Sequence, residues 1–517
     1  MGAGQGGHRP GNLARREISS MRNRSALVLA AALAGCSSSG PGGSASGGSV
    51  GSGGQGTGGA ASGGSTGTGG QLATGGATGA GGVANTGGGT GTGGVAGQGG
   101  AVLTGGSGGS STGTAGAGGV RGTGGAIATG GSGTAGASGG NGSQHWVGTW
   151  TASPYLDSAN PPPVALSNSV LRQVTHVSLG GSQLRVQVSN VDGNGSLVVT
   201  SAHIALCKAA PAVDSSIDTT TDKALSFSGT ASVTIAQGKE LWSDPIDFTV
   251  PALANVTITM ALGAVPGNIT QHSGSRTTSY IQTGSTNVSA ASLTSAQTTE
   301  HWFFISGIDV MAGASARGVV AIGDSITDGR GTNTNQNDRW TDILASRLHA
   351  NAATPDVAVM NQGIGATNLV GTATTAAQAR FDRDVLGQSG VRYAIVYDGV
   401  NDIGGGASFA SMKAAYDDLI SRAHARSLLI YGATITPFGG NSYYTAAHET
   451  VRQQVNTYIK SGVFDGVIDF DAALTDGGNP PKLQATYAAW SQMDGLHPGP
   501  AGYQKMGEAI DLTLFTK

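Results

Sequence analysis

Val319-Val-Ala-Ile-Gly-Asp-Ser-Ile-Thr-Asp-Gly329 reads as four apolar residues running into a turn that holds Ser325 between Asp324 and Ile326. A short, continuously apolar run bounded by glycine fits a strand buried on both faces. The pattern recurs at Val357–Met360, Tyr393–Tyr397, Leu428–Thr434 and Val467–Phe470. Between these runs, helical spacing predicts helices over Trp340–Ala350, Ala376–Val385, Ser408–His424 and Ala446–Lys460. Apolar strands alternating with helices predict an α/β region with a parallel sheet covered on both faces, spanning about 312–517. Ligands of such sheets lie at the carboxyl ends of the strands. Ser325 falls there, as a helix cap or as a nucleophile.

Upstream, residues 145–311 read as all-β. Leu184-Arg-Val-Gln-Val-Ser189 alternates strictly, as a half-buried strand does, and Val256–Met260, Ala231–Ile235 and Ile246–Val250 are further β-rich runs. Gly180-Gly181-Ser182 predicts a hairpin joining Leu184–Ser189 to Leu171–Leu179. Short strands at this spacing predict a sandwich or jelly-roll-like domain. Trp146, Trp150, Trp242 and Trp302 are candidate sugar-stacking platforms or, alternatively, core and domain-interface aromatics.

Residues 37–144 are of another kind. Of 91 glycines, 48 lie between residues 37 and 143, where Arg121 is the one charged residue. This Gly/Ser/Thr/Ala composition lacks the apolar area that offsets the entropy of ordering, which predicts a flexible linker. Gly105-Gly-Ser-Gly-Gly109 inside it matches the nucleophile-elbow pattern G-x-S-x-G. With no strand before it, that match has no structural context and carries no weight. The net charge of −3 comes from interspersed residues, and no basic stripe points to nucleic acid. Two cysteines, Cys36 and Cys207, make neither a disulfide framework nor a metal site.

Residues 1–36 read as an upstream extension followed by an export signal. Met21-Arg-Asn-Arg24 is a positive start that rivals Met1 as the initiator, and Ala26–Ala34 is a short apolar core. Leu33-Ala34-Gly35-Cys36 resembles a lipobox, which implies lipidation of Cys36 and a membrane anchor. Ser37 after the cysteine resembles outer-membrane or surface sorting in a Gram-negative bacterium. The expected localisation is therefore exported and lipid-anchored.

A nucleophilic serine needs a base, and the base needs an orienting acid. Asp494-Gly-Leu-His-Pro498 puts a carboxylate three residues before His497, where it can bind Nδ1–H and leave Nε2 free for Ser325. An ester's oxyanion also needs donors. Asn361-Gln-Gly-Ile-Gly-Ala-Thr367 and Asp398-Gly-Val-Asn-Asp402 each follow a strand; they offer backbone N–H groups and the Asn401 amide.

Gly323-Asp324-Ser325, the block at 363–366, Gly399-Val400-Asn401-Asp402 and Asp494–Pro498 together resemble the four blocks of the SGNH (GDSL) hydrolases. The resemblance covers about 205 residues. It implies a three-layer α/β/α flavodoxin-like fold of about five parallel strands and acyl-ester hydrolysis without metal or cofactor. Carried over by position, Ser325 is the nucleophile, His497 the base and Asp494 its orienting acid. Ser325 N–H and Asn401 Nδ2 are oxyanion donors, and the third donor falls on Gly365 or Ala366, where the family has glycine. The expected substrate is a short-chain, acetyl-type ester of carbohydrate such as acetylated polysaccharide. Lipase, lysophospholipase or thioesterase action is the alternative, and a non-catalytic glycan-binding surface protein is a reading of another class. The oligomeric state is left open.

Overall fold

The structure is a computed structural model that describes residue 1 and residues 143–209 and 214–517. The export signal, Cys36 and nearly all of the glycine-rich linker lie outside the described residues.

Five parallel strands form the sheet that carries the site, in the spatial order Val357–Gly363, Arg317–Gly323, Val391–Tyr397, Leu429–Ala433, Gly466–Ile468. The chain order is thus 2-1-3-4-5, the flavodoxin-like arrangement, with its switch point beside the first strand. Val319 to Ile322 are fully buried, as the apolar run requires when helices cover both faces. Helices Trp340–Ala350 and Pro500–Ala509 pack with one face of the sheet, and Phe409–Ala425 and Ala446–Tyr458 with the other. The expected helix over Ala376–Val385 is α-helical only to Phe381, then widens to π over Asp382–Leu386.

Ahead of it lie two large antiparallel sheets around one apolar core, with a small third one of Tyr155–Leu156, Thr270–Ser273 and His301–Phe303. One holds His145–Thr151, Ile305–Ala312, Gly181–Asn190, Lys239–Trp242 and Ile246–Val250. The other is seven-stranded, with Ser169–His176, Asn255–Leu262 and Leu197–Leu206 at its centre. The hairpin expected across Gly180–Ser182 does not form. Ser169–His176 pairs with Asn255–Leu262 and Ser279–Thr283, while Gly181–Asn190 pairs in the opposite sheet. The glycines serve a crossover instead: a Cβ on Gly180 would stand 2.6 Å from Val250 O. Only one strand could have shown this difference in its pattern. Ser169–Thr175 is buried on both faces, whereas Gly181–Val188 alternates.

The four tryptophans are not free platforms. Trp150 and Trp302 are buried and pack edge to face at 4.9 Å, with Trp302 Nε1 donating to Val174 O. Trp146 and Trp242 stack on the guanidinium of Arg185, which bonds Asp309 and Ser389.

The β region also closes the edge of the parallel sheet. Ser178 Oγ accepts from Val359 N at 2.9 Å, and its one hydrogen is shared between Thr149 O at 2.8 Å and Val359 O at 2.9 Å, so the hydroxyl bridges the two chains at the edge strand. Gly148 makes the approach possible, since a Cβ there would stand 2.4 Å from Met360 Sδ. Arg380 ties three chain segments together: it donates to Gly323 O, Gln362 O, Ser153 Oγ and Asp384.

Candidate active site

Ser325 begins a one-turn helix, Ser325–Asp328, that leaves the first strand. The cap is Asp324, whose carboxylate accepts from Ile326 N at 2.9 Å, so Ser325 is released from capping. Gly323 is required just before it: a Cβ would meet Tyr397 O at 2.2 Å.

Ser325 Oγ lies 2.7 Å from His497 Nε2, and His497 Nδ1 lies 2.6 Å from Asp494 Oδ2. Asp494 Oδ1 accepts from the backbone N–H of Leu496 and of His497, which fixes the carboxylate against its own loop. Asn441, after the fourth strand, holds that loop by donating to Asp494 O at 2.8 Å. With Nδ1–H committed to a carboxylate, Nε2 is left as the acceptor of the hydrogen bond from the Ser325 hydroxyl. Burial opposes the charge of Asp494, yet the hydrogen bonds from His497 prevail and hold its carboxyl below the usual range. Burial lowers the His497 pKa against the pull of Asp494, and the guanidiniums of Arg330 and Arg276 lower it further. A neutral imidazole at physiological pH is what a general base needs.

Asn401 follows the third strand, past Gly399 at φ +122°. Its Oδ1 accepts from Tyr443 Oη at 3.1 Å and its Nδ2 donates one hydrogen to Thr367 O at 2.8 Å. One Nδ2 hydrogen remains. Asp402 draws the 364–370 loop to this turn by accepting from Leu369 N and Val370 N. Among the described residues, the N–H groups of Ser325, Gly365 and Ala366 donate to nothing. Ala366 stands at φ +59°, the left-handed region where a glycine would be at ease, so the loop keeps a glycine-like path around an alanine.

Several groups here have no motif in the sequence. His272, from the β region, presents Nδ1 to Ser153 O at 2.9 Å and Nε2 to Asp328 Oδ1 at 3.0 Å. Arg276, at φ +52°, brings its guanidinium to 3.8 Å from Asp328 Oδ2. A Cβ on Gly365 would stand 3.7 Å from that same oxygen, so these two β-region side chains flank the 365–366 loop. Arg330 lies over Trp490, which packs edge-on to His497 at 6.2 Å between ring centres. Arg339 and Trp340 do not line the site: Trp340 is fully buried against Phe470, and Arg339 bridges Asp328 O to Ser275 O. Period-based reading finds none of these, because each depends on a partner far along the chain.

Asp324, next to Ser325, belongs to a cluster of buried carboxyls. Burial pushes Asp324 up to about 7, against its bond from Ile326 N. It also raises Asp398 well above the carboxylate range, reinforced by the charges of Asp324 and Asp402. Neither Asp398 carboxyl oxygen has a partner among the described residues, which fits a neutral acid.

Residues 321–505 match the model of the GDSL-like lipase/acylhydrolase family. Among curated proteins none matches this sequence. Solved structures similar to it include a member of the lipolytic protein G-D-S-L family from Veillonella parvula, at 18% identity over 39% of this chain and 100% of that one, TM-score 0.28. An acetyl-xylooligosaccharide esterase mutant from Geobacillus stearothermophilus is 20% identical over 39% of this chain and 94% of its own, TM-score 0.31. A catalytic mutant of an acetylxylan esterase from the same organism is 20% identical over 38% and 93%, TM-score 0.30.

Proposed function

Taking residues 321–505 as a GDSL-like lipase/acylhydrolase domain, and the chain therefore as an ester hydrolase, we propose a serine esterase with Ser325, His497 and Asp494 as its triad. Ser325 Oγ attacks the ester carbonyl while its proton passes to His497 Nε2, and Asp494 stabilises the imidazolium. The oxyanion is held by Ser325 N–H, the 365–366 backbone and the free Nδ2 hydrogen of Asn401. His497 then protonates the departing alcohol, and water releases the acid by the same route. The observation that carries this reading is the continuous Ser325–His497–Asp494 chain, 2.7 and 2.6 Å in its two links, beside N–H groups that have no other partner among the described residues.

The substrate we infer is a short-chain ester, acetyl above all, on a polar alcohol of carbohydrate type. Arg330, 3.9 Å from Asp494 and lying over Trp490, and Trp490, packed edge-on to His497, give the triad a setting suited to hydroxyl-rich rather than long apolar groups. The Cys36 lipobox supports an exported, lipid-anchored enzyme; incorporation of a fatty-acid analogue, lost in Cys36→Ala, tests the anchor.

Turnover of nitrophenyl esters across an acyl-length series tests the enzymatic reading, with acetate release from acetylated polysaccharide alongside. The expected result is a maximum at acetyl or propionyl and background activity in Ser325→Ala. A maximum at long acyl chains would move the reading to a lipase. Failure of Ser325 to react with a fluorophosphonate would point to a non-catalytic glycan-binding protein.

A further inference from the structure

The loop after the fourth strand carries no motif, yet it touches both halves of the active site. It leaves Leu429–Ala433 and ends at Thr445, the cap of the helix Ala446–Tyr458. Asn441 Nδ2 donates to Asp494 O at 2.8 Å, and Tyr443 Oη donates to Asn401 Oδ1 at 3.1 Å. The two residues are also joined to each other, since Tyr443 N donates to Asn441 Oδ1 at 2.8 Å. Residues 441–443 thus run from the loop of the acid that orients His497 to the amide assigned to the oxyanion.

The loop is fixed from several sides. Asn441 N donates to Phe438 O and Gly439 N to Pro481 O, and Phe438 is fully buried. Tyr443 O lies 2.7 Å from His448 Nδ1, in the first turn of the following helix. Both close approaches need a missing side chain. On the short helix of Asn401, a Cβ on Gly404 would stand 2.4 Å from Tyr443 Cδ2. Beside Asp494, Gly495 stands at φ +73°, and a Cβ there would come within 2.5 Å of Gly440 C.

An amide serves an oxyanion only when its nitrogen, not its oxygen, faces the substrate. Thr367 O can accept and cannot donate, so it selects the nitrogen end of Asn401. The Tyr443 hydroxyl takes the oxygen end. It holds the amide plane and, by donating to Oδ1, polarises the amide and strengthens its remaining N–H as a donor. We propose that Tyr443 is a positioning residue for the oxyanion amide and Asn441 one for the triad acid, so that one loop braces the two against each other. The proposal rests on the esterase reading above.

The experiment measures kcat and KM of the full chain on 4-nitrophenyl acetate for Tyr443→Phe and Asn441→Ala, each alone and combined with Asn401→Ala. Tyr443→Phe keeps the ring against Gly404 and removes only the hydroxyl. Its kcat is expected to fall about tenfold with KM changed less than about twofold, the mark of an interaction made in the transition state. In the Asn401→Ala background the same change should cost less than about twofold, because the group it acts through is gone. Asn441→Ala should lower kcat by about tenfold or more and keep most of that loss in the Asn401→Ala background, since it also holds the Asp494 loop. An unchanged kcat in Tyr443→Phe, or a loss there that multiplies in full with that of Asn401→Ala, overturns the proposal. So does an Asn441→Ala loss that is absent or that vanishes once Asn401 is replaced. The Tyr443 arm stands even if Asn441→Ala fails to fold. No turnover by wild type, or full turnover by Ser325→Ala, would instead overturn the esterase reading, so the two failures are distinct.

Discussion

His272 Nε2 lies 3.0 Å from Asp328 Oδ1 while its Nδ1 lies 2.9 Å from Ser153 O, so both ring nitrogens of a buried histidine face acceptors. Asp328 ends the helical turn that Ser325 begins. The β region is thereby latched to the element that carries Ser325, and Arg276 and Arg339 arrive at the same turn.

Breaking this latch should cost both stability and rate. Leaving the partner of a buried hydrogen bond unsatisfied typically costs about 1–3 kcal/mol. We expect His272→Ala to lose stability on that scale in urea unfolding and to lower kcat about tenfold or more. The double variant His272→Ala/Asp328→Asn should be less destabilised than the two single losses added together, because either single change already breaks the bond between them. Strict additivity would mean the two residues do not act as a pair.

Asn401→Ala should fold and lose turnover. Its amide is already oriented by Thr367 O and Tyr443, so the remaining hydrogen is preorganised for an oxyanion. Loss of one such donor costs about 2.7–4 kcal/mol, or roughly a hundredfold or more in kcat. An unchanged kcat on 4-nitrophenyl acetate would remove Asn401 from the oxyanion hole.

The acid limb of kcat/KM should lie below 6.5, the ordinary value for histidine, because burial lowers the His497 pKa and Arg330 and Arg276 add to this. Activity needs neutral His497, so it is lost as pH falls through that lowered value. Replacing Arg330 by Gln removes a cation and should move the limb upward by a fraction of a unit. A downward shift in the pH–rate profile would contradict the geometry.

Asp398→Asn should stabilise the fold, increasingly so at higher pH. Asp398 is raised well above its ordinary 3.8 by burial first, then by Asp324 and Asp402. A group whose folded pKa is raised contributes its stability fully below the unfolded value, and that contribution is lost as pH rises toward the folded one. Asparagine keeps the shape and does not titrate. We expect Tm at neutral pH to rise by about 2–4 °C, roughly 1 kcal/mol for a domain of this size. The gap between variant and wild type should close toward pH 4; a gap independent of pH would show that Asp398 is ionised in the fold.

The sequence alone determined the parallel sheet and the positions of Ser325, Asn401, Asp494 and His497, because these rest on local regularities. An apolar run of strand length, a glycine that must admit a neighbouring backbone and an acid three residues before a histidine are all visible within a few positions. Only the tertiary structure decided which strands pair. Ser169–His176 and Gly181–Asn190, adjacent in sequence, belong to opposite sheets because their partners lie more than 50 residues away. It also decided that Trp150 and Trp302 are core, that Asp324 rather than Ser325 caps the turn, and that His272 and Arg276 reach Asp328 of the Ser325 turn from another part of the chain. Burial and charge pairing are sums over whatever the fold brings within a few ångströms. A side chain whose role comes from such distant neighbours leaves no period in its own stretch of sequence.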